Sequence, residues 1–272
     1  GNTYYDGYSS PVNYLNDRFS LNGQRLMKVS DGTYGGHGVV YRTDQDQMNK
    51  IISYHETGIN GPASFQMYGA DGTIYYYGTS DDSKAMQTSQ KQINVWLLKQ
   101  IKDRYGNEIT YHYLNREEDF LLDKICYSGN SGQQIPALFT VDFLYIERSD
   151  SDLSFYGNCP NKKNVLLDKI IVKNKENPLY QYQFNYHLST PQNGYPYSRL
   201  KEIEFSAGDQ HYNPTLIQWG ENNYPIANSA AVKYTVTTTG IEHAFNNAIK
   251  FSGDFNGDGY SDVIAVKPDG NG

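Results

Sequence analysis

Short runs in which apolar and polar side chains alternate with period two, joined by tight glycine-containing turns, restrict this chain more than any other feature. Asn22-Gly23 separates two such arms in RFSLNGQRLMKV, Asp71-Gly72 in FQMYGADGTIYYYG, and Gly106-Asn107 in LLKQIKDRYGNEITYHYLN. Period two puts alternate side chains on one face of a strand, and Asn-Gly tolerates the positive φ angles of a type I′ turn. The punctuation recurs about every 8 to 12 residues, the spacing of successive hairpins. Apolar residues at the 3.6-residue period of a helix are scarce. The prediction is a mainly β fold of antiparallel hairpins forming an extended, curled sheet. The 26 Tyr and 25 Gly agree with it, because Tyr suits half-buried pleated surfaces and Gly suits turns.

One hairpin unit recurs. Leu98-x-x-Ile101, Leu122-x-x-Ile125, Leu167-x-x-Ile170 and Leu200-x-x-Ile203 each lead into an alternating arm: ITYHYLN, LFTVDFLYIE, YQYQFNYHL and PTLIQWG. A hairpin of this kind buries only one face, so neighbouring units must stand side by side. Polar stretches at 79–92, 147–164 and 220–231 are expected as loops or linkers. They imply a hairpin domain over 1–220, a linker over 221–231 and a separate C-terminal segment over 232–272.

A net charge of −7 with no block of Lys or Arg leaves no electrostatic footprint for nucleic acid. No apolar run reaches the roughly 18 residues of a membrane-spanning helix. Cys126 and Cys159 lack CxxC spacing, and sequence alone leaves a bridge between them open.

The segment SGDFNGDGYSDVIAV carries the pattern D-x-N-x-D-G-x-x-D at Asp254, Asn256, Asp258 and Asp262. Ca²⁺ takes six to eight oxygens at about 2.3–2.6 Å, and a tight loop offering side-chain oxygens at positions 1, 3, 5 and 9, with Gly at 6, can wrap it. The carbonyl of Tyr260 would add a ligand. No Glu closes the loop at position 12, and an apolar β-like run, DVIAV, follows where an EF-hand has a helix. The expected role is structural, because protein oxygens would fill the coordination sphere. A solvated Asp/Gly turn without an ion is the competing reading.

Other constellations are weak. Six scattered histidines, His37, His55, His112, His187, His211 and His243, show no H-x-x-x-H pair, and neither a G-x-S-x-G elbow nor a P-loop is present. YGGHGVV reads as a glycine-rich turn. Exposed tyrosines on the strands could stack on sugars, which keeps a carbohydrate-binding module as the alternative function.

The strings DRFSLNGQRL, GVVYRTDQD, KIISY, GPASFQMYGADGTIYYYG, VWLLKQIKDRYGNEITYHY and RLKEIEFSAG resemble, in order, the SpvB-type domain of bacterial insecticidal toxin complexes and Rhs proteins. LLKQIKDRYGNEITYHY is also similar to one YD (Rhs) repeat. The resemblance implies a β-stranded, non-enzymatic module of a secreted or cell-surface bacterial protein. Its partners would be downstream propeller and Rhs domains of the same polypeptide, or a toxin-complex protein. SGDFNGDGYSDVIAV resembles the first FG-GAP blade, which implies the same calcium role for its acidic positions and a chain that stops inside that blade. Such a stub, with Val263, Ile264 and Val266, is expected to fold back on the sheet or pair with another chain. Some relatives end in an ADP-ribosyltransferase with a Glu-x-Glu pair. Glu202-Ile-Glu204 matches that pair, but strand alternation places both carboxylates on the polar face of a hairpin arm.

Overall fold

The computed structural model describes residues 17–45, 48–87, 92–116, 119–156, 159–189, 196–219, 249–253 and 262–266. The chain opens with β1 (Ser20–Leu21), β2 (Gln24–Lys28), β3 (Val40–Thr43), β4 (Lys50–Tyr54), β5 (Ser64–Tyr68) and β6 (Ile74–Tyr77). An excursion follows, in which β7 (Lys84–Gln87) and β8 (Gln92–Trp96) pair as a two-stranded sheet of their own. The path resumes with β9 (Leu98–Lys102), β10 (Glu108–Arg116), β11 (Asp119–Gly129), β12 (Phe139–Tyr156) and β13 (Cys159–Asn174). It continues with β14 (Asn177–Ser189) and β15 (Tyr197–Ala207), and β16 (Gln210–His211) and β17 (Thr215–Leu216) both pair with β15. All except β7 and β8 belong to one 15-stranded antiparallel sheet in chain order, with β6 joined directly to β9. A further hairpin pairs β18 (Ile249–Gly253) with β19 (Asp262–Val266). The protein is mainly β, an extended sheet of antiparallel hairpins, as the alternation predicts.

The turn chemistry holds in detail at the first hairpin. Asn22 and Gly23 have φ of 49° and 80°, and Leu21 pairs with Gln24 across them, the two-residue turn that needs positive φ at both positions. At 103–107 the turn is built differently. Both backbone amides of Tyr105 and Asn107 donate to Asp103 Oδ1, at 2.8 and 2.9 Å. Gly106, at φ 87°, lies so close to Asn130 that a Cβ would stand 3.1 Å from its Oδ1.

Two segments expected as loops are strands. Residues 79–92 contain a 3₁₀ turn, Asp81–Ser83, all of β7 and the first residue of β8, with 88–91 outside the described residues. Residues 147–156 and 159–164 are the far ends of β12 and β13, paired out to Tyr156↔Cys159. Ladder hydrogen bonds involve only the backbone, so these polar sequences hid a pairing that composition does not report. Cys126 carries a free thiol, half-buried on β11. The boundary at 220–231 lies outside the described residues.

The Leu-x-x-Ile spacing looks wrong for a strand, because residues three apart point to opposite faces. A β-bulge resolves the conflict in all four units. Tyr76 pairs with Gln100 but Tyr77 with Leu98, and His112 with Lys124 but Tyr113 with Leu122. Leu144 pairs with Lys169 but Tyr145 with Leu167, and Asn185 with Glu202 but Tyr186 with Leu200. Lys99, Asp123, Asp168 and Lys201 are the extra residues. Each bulge returns Leu to the face of its Ile, and bulges increase the local right-handed twist, so four in series curl the sheet.

The tightest packing lies at the N-terminal end. Leu26, Val39, Tyr41, Ile51, Phe65 and Met67 form a buried cluster covered by Phe19, Tyr34 and Trp96. Phe19, Phe65 and Trp96 meet edge to face with centroids 5.0–5.5 Å apart, a favoured aromatic geometry. The glycine-rich turn supports this cluster: Gly35 N–H donates to Tyr41 Oη at 2.8 Å, and Ser53 Oγ–H donates to Gly36 O at 2.6 Å.

A second stitch holds the C-terminal half. Between Glu147↔Val165 and Asp152↔Lys163 the register slips, and the bulged segment carries Asp150 toward β15. The Asp150 carboxylate accepts two hydrogen bonds from Arg148, the nearer at 2.7 Å, one from Ser198 Oγ at 2.6 Å, and one from Ser198 N–H. The Arg148 guanidinium and the Ser198 donors hold Asp150 well below the usual carboxylate range. Its folded value lies under the unfolded one of about 3.9, so its contribution is complete above that pH and is lost as pH falls below it. Asp150→Asn is expected to cost about 1–3 kcal/mol at neutral pH and to flatten the stability loss below about pH 4, as measured by urea unfolding across pH.

Candidate functional site

The broadest feature is a continuous apolar and aromatic face. Cross-strand partners share a face, so the ladder pairs trace it outward: Tyr75↔Ile101, Ile101↔Ile109, Tyr111↔Ile125, Ile125↔Val141, Phe143↔Ile170, Ile170↔Tyr182 and Phe184↔Ile203. At the N-terminal end the core cluster and its aromatic cover lie over this face. Toward β14 and β15 large apolar side chains stand open: Tyr180, Tyr182, Leu188, Tyr212 and Trp219 are each more than a third exposed. Tyr180, Tyr182, Phe205 and Tyr212 form a chain of rings with centroids 5.0–6.3 Å apart and planes inclined by 42–88°. These tilted rings make a ridged surface instead of a flat shelf.

A repeated latch holds adjacent hairpins in register. The ladders between hairpins stop at Gln100↔Thr110, Lys124↔Asp142, Lys169↔Gln183 and Glu202↔Leu216, one residue short of each bulge. Past that point the arms diverge, and each Leu carbonyl needs a donor from elsewhere. Tyr113 Oη–H donates to Leu98 O at 2.6 Å, Tyr145 to Leu122 O at 2.7 Å, and Tyr186 to Leu167 O at 2.8 Å. At the last junction Trp219 Nε1–H donates to Leu200 O at 2.7 Å. Each donor stands three residues beyond the last ladder pair. Burial pushes the Tyr113 phenol up to about 12 and raises Tyr186 as well, so both stay protonated donors through the neutral range. The sequence carried this signal in the fixed distance from Leu-x-x-Ile to the following aromatic, but the bulge had to be recognised before that distance had meaning.

The opposite face is polar. Asp142 lies between Lys173 Nζ at 2.5 Å and Lys124 Nζ at 3.7 Å, and its carboxylate raises Lys173 above the ordinary lysine value. Glu202 and Glu204 lie on this face, opposite Asn185 and Gln183, and both accept hydrogen bonds from Asn185 Nδ2, at 3.2 and 2.5 Å. That arrangement ties both carboxylates to one amide on the neighbouring strand. A cleft of about 350 Å³ borders the N-terminal core, lined by Phe19, Leu26, Ile51, Phe65, Ile93 and Trp96 among others. His37 and His55 adjoin, with His55 N–H donating to His37 Nδ1 at 3.1 Å. Among the described residues, no group of three or more His, Cys, Asp or Glu side chains could hold a metal.

Of the predicted calcium ligands, Asp254, Asn256, Asp258 and Tyr260 lie outside the described residues, while Asp262 opens β19. The flanking strands pair from Ile249↔Val266 to Gly253↔Asp262. Residues 254–261 lie between these strands and outside the described residues. Asp262 thus pairs with Gly253, the residue before the first acidic position of the motif.

A search of curated proteins gives no match. Among solved structures, the N-terminal domain of effector protein SpvB from Salmonella typhimurium strain LT2 aligns with a TM-score of 0.58 at 13% identity, covering 72% of this chain and 83% of that one. A crystal structure of TcdB2-TccC3-Cdc42 aligns with a TM-score of 0.56 at 16% identity over 73% of this chain. The Photorhabdus luminescens Tc holotoxin pore aligns with a TM-score of 0.50 at 15% identity over 68%. This chain covers only 12% and 11% of the chains in those two structures. At such identities the likeness establishes a shared fold. A sequence profile described as Salmonella virulence plasmid 65kDa B protein matches residues 17–191, well over half of the 272, and the chain therefore belongs to the SpvB family.

Proposed function

We propose that this chain is a non-enzymatic structural module of a large secreted bacterial protein of the toxin-complex or Rhs type, and that its sheet serves as a wall or docking surface. The observation that carries this reading is the latched apolar face, repeated four times and left open on β14 and β15. An aromatic surface stiffened by bulges and side-chain latches suits holding other polypeptide, and its ridged rings offer no flat platform for a sugar. Its partners on this reading are downstream domains of the same polypeptide or a toxin-complex protein. Placing a charge on this face by Tyr182→Asp or Leu188→Asp should leave the β spectrum intact, since both side chains are more than a third exposed, and should abolish assembly with the rest of the protein. Intact assembly with both variants would refute the wall. Specific micromolar glycan binding lost in Tyr180→Ala would favour the carbohydrate-binding alternative, and NAD-dependent label transfer lost in Glu204→Gln would favour a transferase.

Within the same reading, the hairpin of β18 and β19 is a calcium-stiffened, blade-like element. Asp254, Asn256, Asp258 and Asp262, with the Tyr260 carbonyl, hold the ion in a structural role. Three carboxylates repel one another without a cation, so Ca²⁺ is expected to bind with a Kd of about 10⁻⁴ to 10⁻³ M. Terbium luminescence displaced by Ca²⁺ should report it, and Asp258→Ala should remove the signal. A signal equal in both proteins would mean that the loop holds no ion.

A further inference from the structure

We propose that His112 is an acid-responsive catch that holds the arm at 78–97 against the sheet, and that protonating it releases the arm and opens the cleft beneath. The arm leaves the sheet after β6, runs through the Asp81–Ser83 turn, β7 and β8, and returns to β9. Its neck is closed by Gly78 N–H to Leu97 O at 2.9 Å and Leu97 N–H to Ser83 O at 2.8 Å. Its returning strand β8 carries Ile93 and Trp96, and both line the cleft beside the core.

Asp82 pins the neck to the sheet. Its carboxylate accepts hydrogen bonds from Lys99 Nζ, at 2.8 and 3.1 Å, from Ser80 Oγ, and from the Tyr113 amide at 3.1 Å. Asp123 on β11 is the extra residue opposite His112 and Tyr113, and the ladder with β9 ends at Gln100↔Thr110, before Tyr113. Lys99 is therefore the cation on which the clamp depends, and its ammonium also stands 3.4 Å from His112 Nδ1. An ammonium has only donors. The contact is favourable only while Nδ1 is a bare acceptor, which fixes a neutral ring with its proton on Nε2.

Protonation at Nδ1 replaces that acceptor with a cationic N–H facing another cation. Every packed element contributes to the local balance: Lys99 from β9, Asp82 from the 3₁₀ turn, and Lys124, Asp123 and Cys126 from β11. Lys99 and Lys124 oppose a charged ring, while Asp82 and Asp123 favour it, and burial with Lys99 keeps His112 below the ordinary imidazole value. The folded protein thus binds this proton less readily than the unfolded chain, whose value is about 6.5. The catch is complete above that pH and weakens as pH falls through it and toward the lower folded value. A charged ring pushes on the same ammonium that Asp82 holds at 2.8 Å, so the arm is the element that yields.

Hydrogen exchange, corrected for intrinsic rates, tests this at about pH 7.5 and about pH 5 on the wild-type chain and His112→Gln. The Gln carbonyl can accept from Lys99 and does not titrate. Wild-type protection over 80–97 and at the Tyr113 amide is expected to fall about tenfold at the lower pH, while His112→Gln keeps it. Asp82→Asn should show the released pattern already at neutral pH. Equal pH dependence in the wild type and His112→Gln, or no loss of protection over the arm in the wild type, would overturn the proposal.

Discussion

Phe65→Ala is expected to destabilise the protein by about 3–5 kcal/mol, the largest effect of any single substitution considered. Phe65 is 5% exposed, and it is the ring on which Phe19, Trp96 and Tyr41 converge, at 5.2, 5.0 and 6.3 Å. Removing it deletes the transfer free energy of the ring and leaves a void beside an existing cleft, and the three edge-to-face contacts are lost with it. Urea unfolding gives the magnitude, and Trp96 fluorescence shows whether the β7–β8 arm loosens with the core. Phe65→Leu, which fills part of the space, should recover more than half of the loss. A cost below about 1 kcal/mol would mean that the cluster is loosely packed and does not anchor the sheet.

The second expected effect is distributed along the sheet. Tyr145→Phe and Tyr186→Phe each remove one oxygen and leave the ring opposite its leucine. The Leu122 and Leu167 carbonyls then lack a donor, at about 1–3 kcal/mol each. The two latches stand on β12 and β14, with β13 between them, roughly 10 Å apart, so the double variant should be close to additive. Tyr180→Phe is the control: Tyr180 is exposed on the same face, and the change should stay within about 0.5 kcal/mol. If the latch variants match that control, the hydroxyl bonds contribute nothing, and the bulges alone set the register.

Much of the architecture was legible in particular residues. Asn22-Gly23 announced a type I′ turn and formed one, and the alternation in FQMYGADGTIYYYG became β5 and β6 in a direct hairpin. Leu-x-x-Ile marked four equivalent places. Its meaning was hidden because a three-residue spacing suits a helix face and not a strand until one residue is set aside as a bulge, and bulges are specified by the partner strand's register. The polar stretches at 79–92 and 147–164 misled for a related reason: their order comes from backbone pairing and from single side chains such as Asp82 and Asp150, whose partners Tyr113 and Ser198 lie 31 and 48 residues away.

Local chemistry in the chain determined the strand class, the hairpin turns, the repeat, and the oxygen-rich spacing at 254–262, because φ preference, alternation and donor type are properties of neighbouring residues. The folded sheet alone decided which carbonyl each tyrosine serves, which carboxylate clamps the arm, and which part of the apolar face stays open. Those depend on residues brought together by register, and one shifted residue in a strand exchanges its two faces.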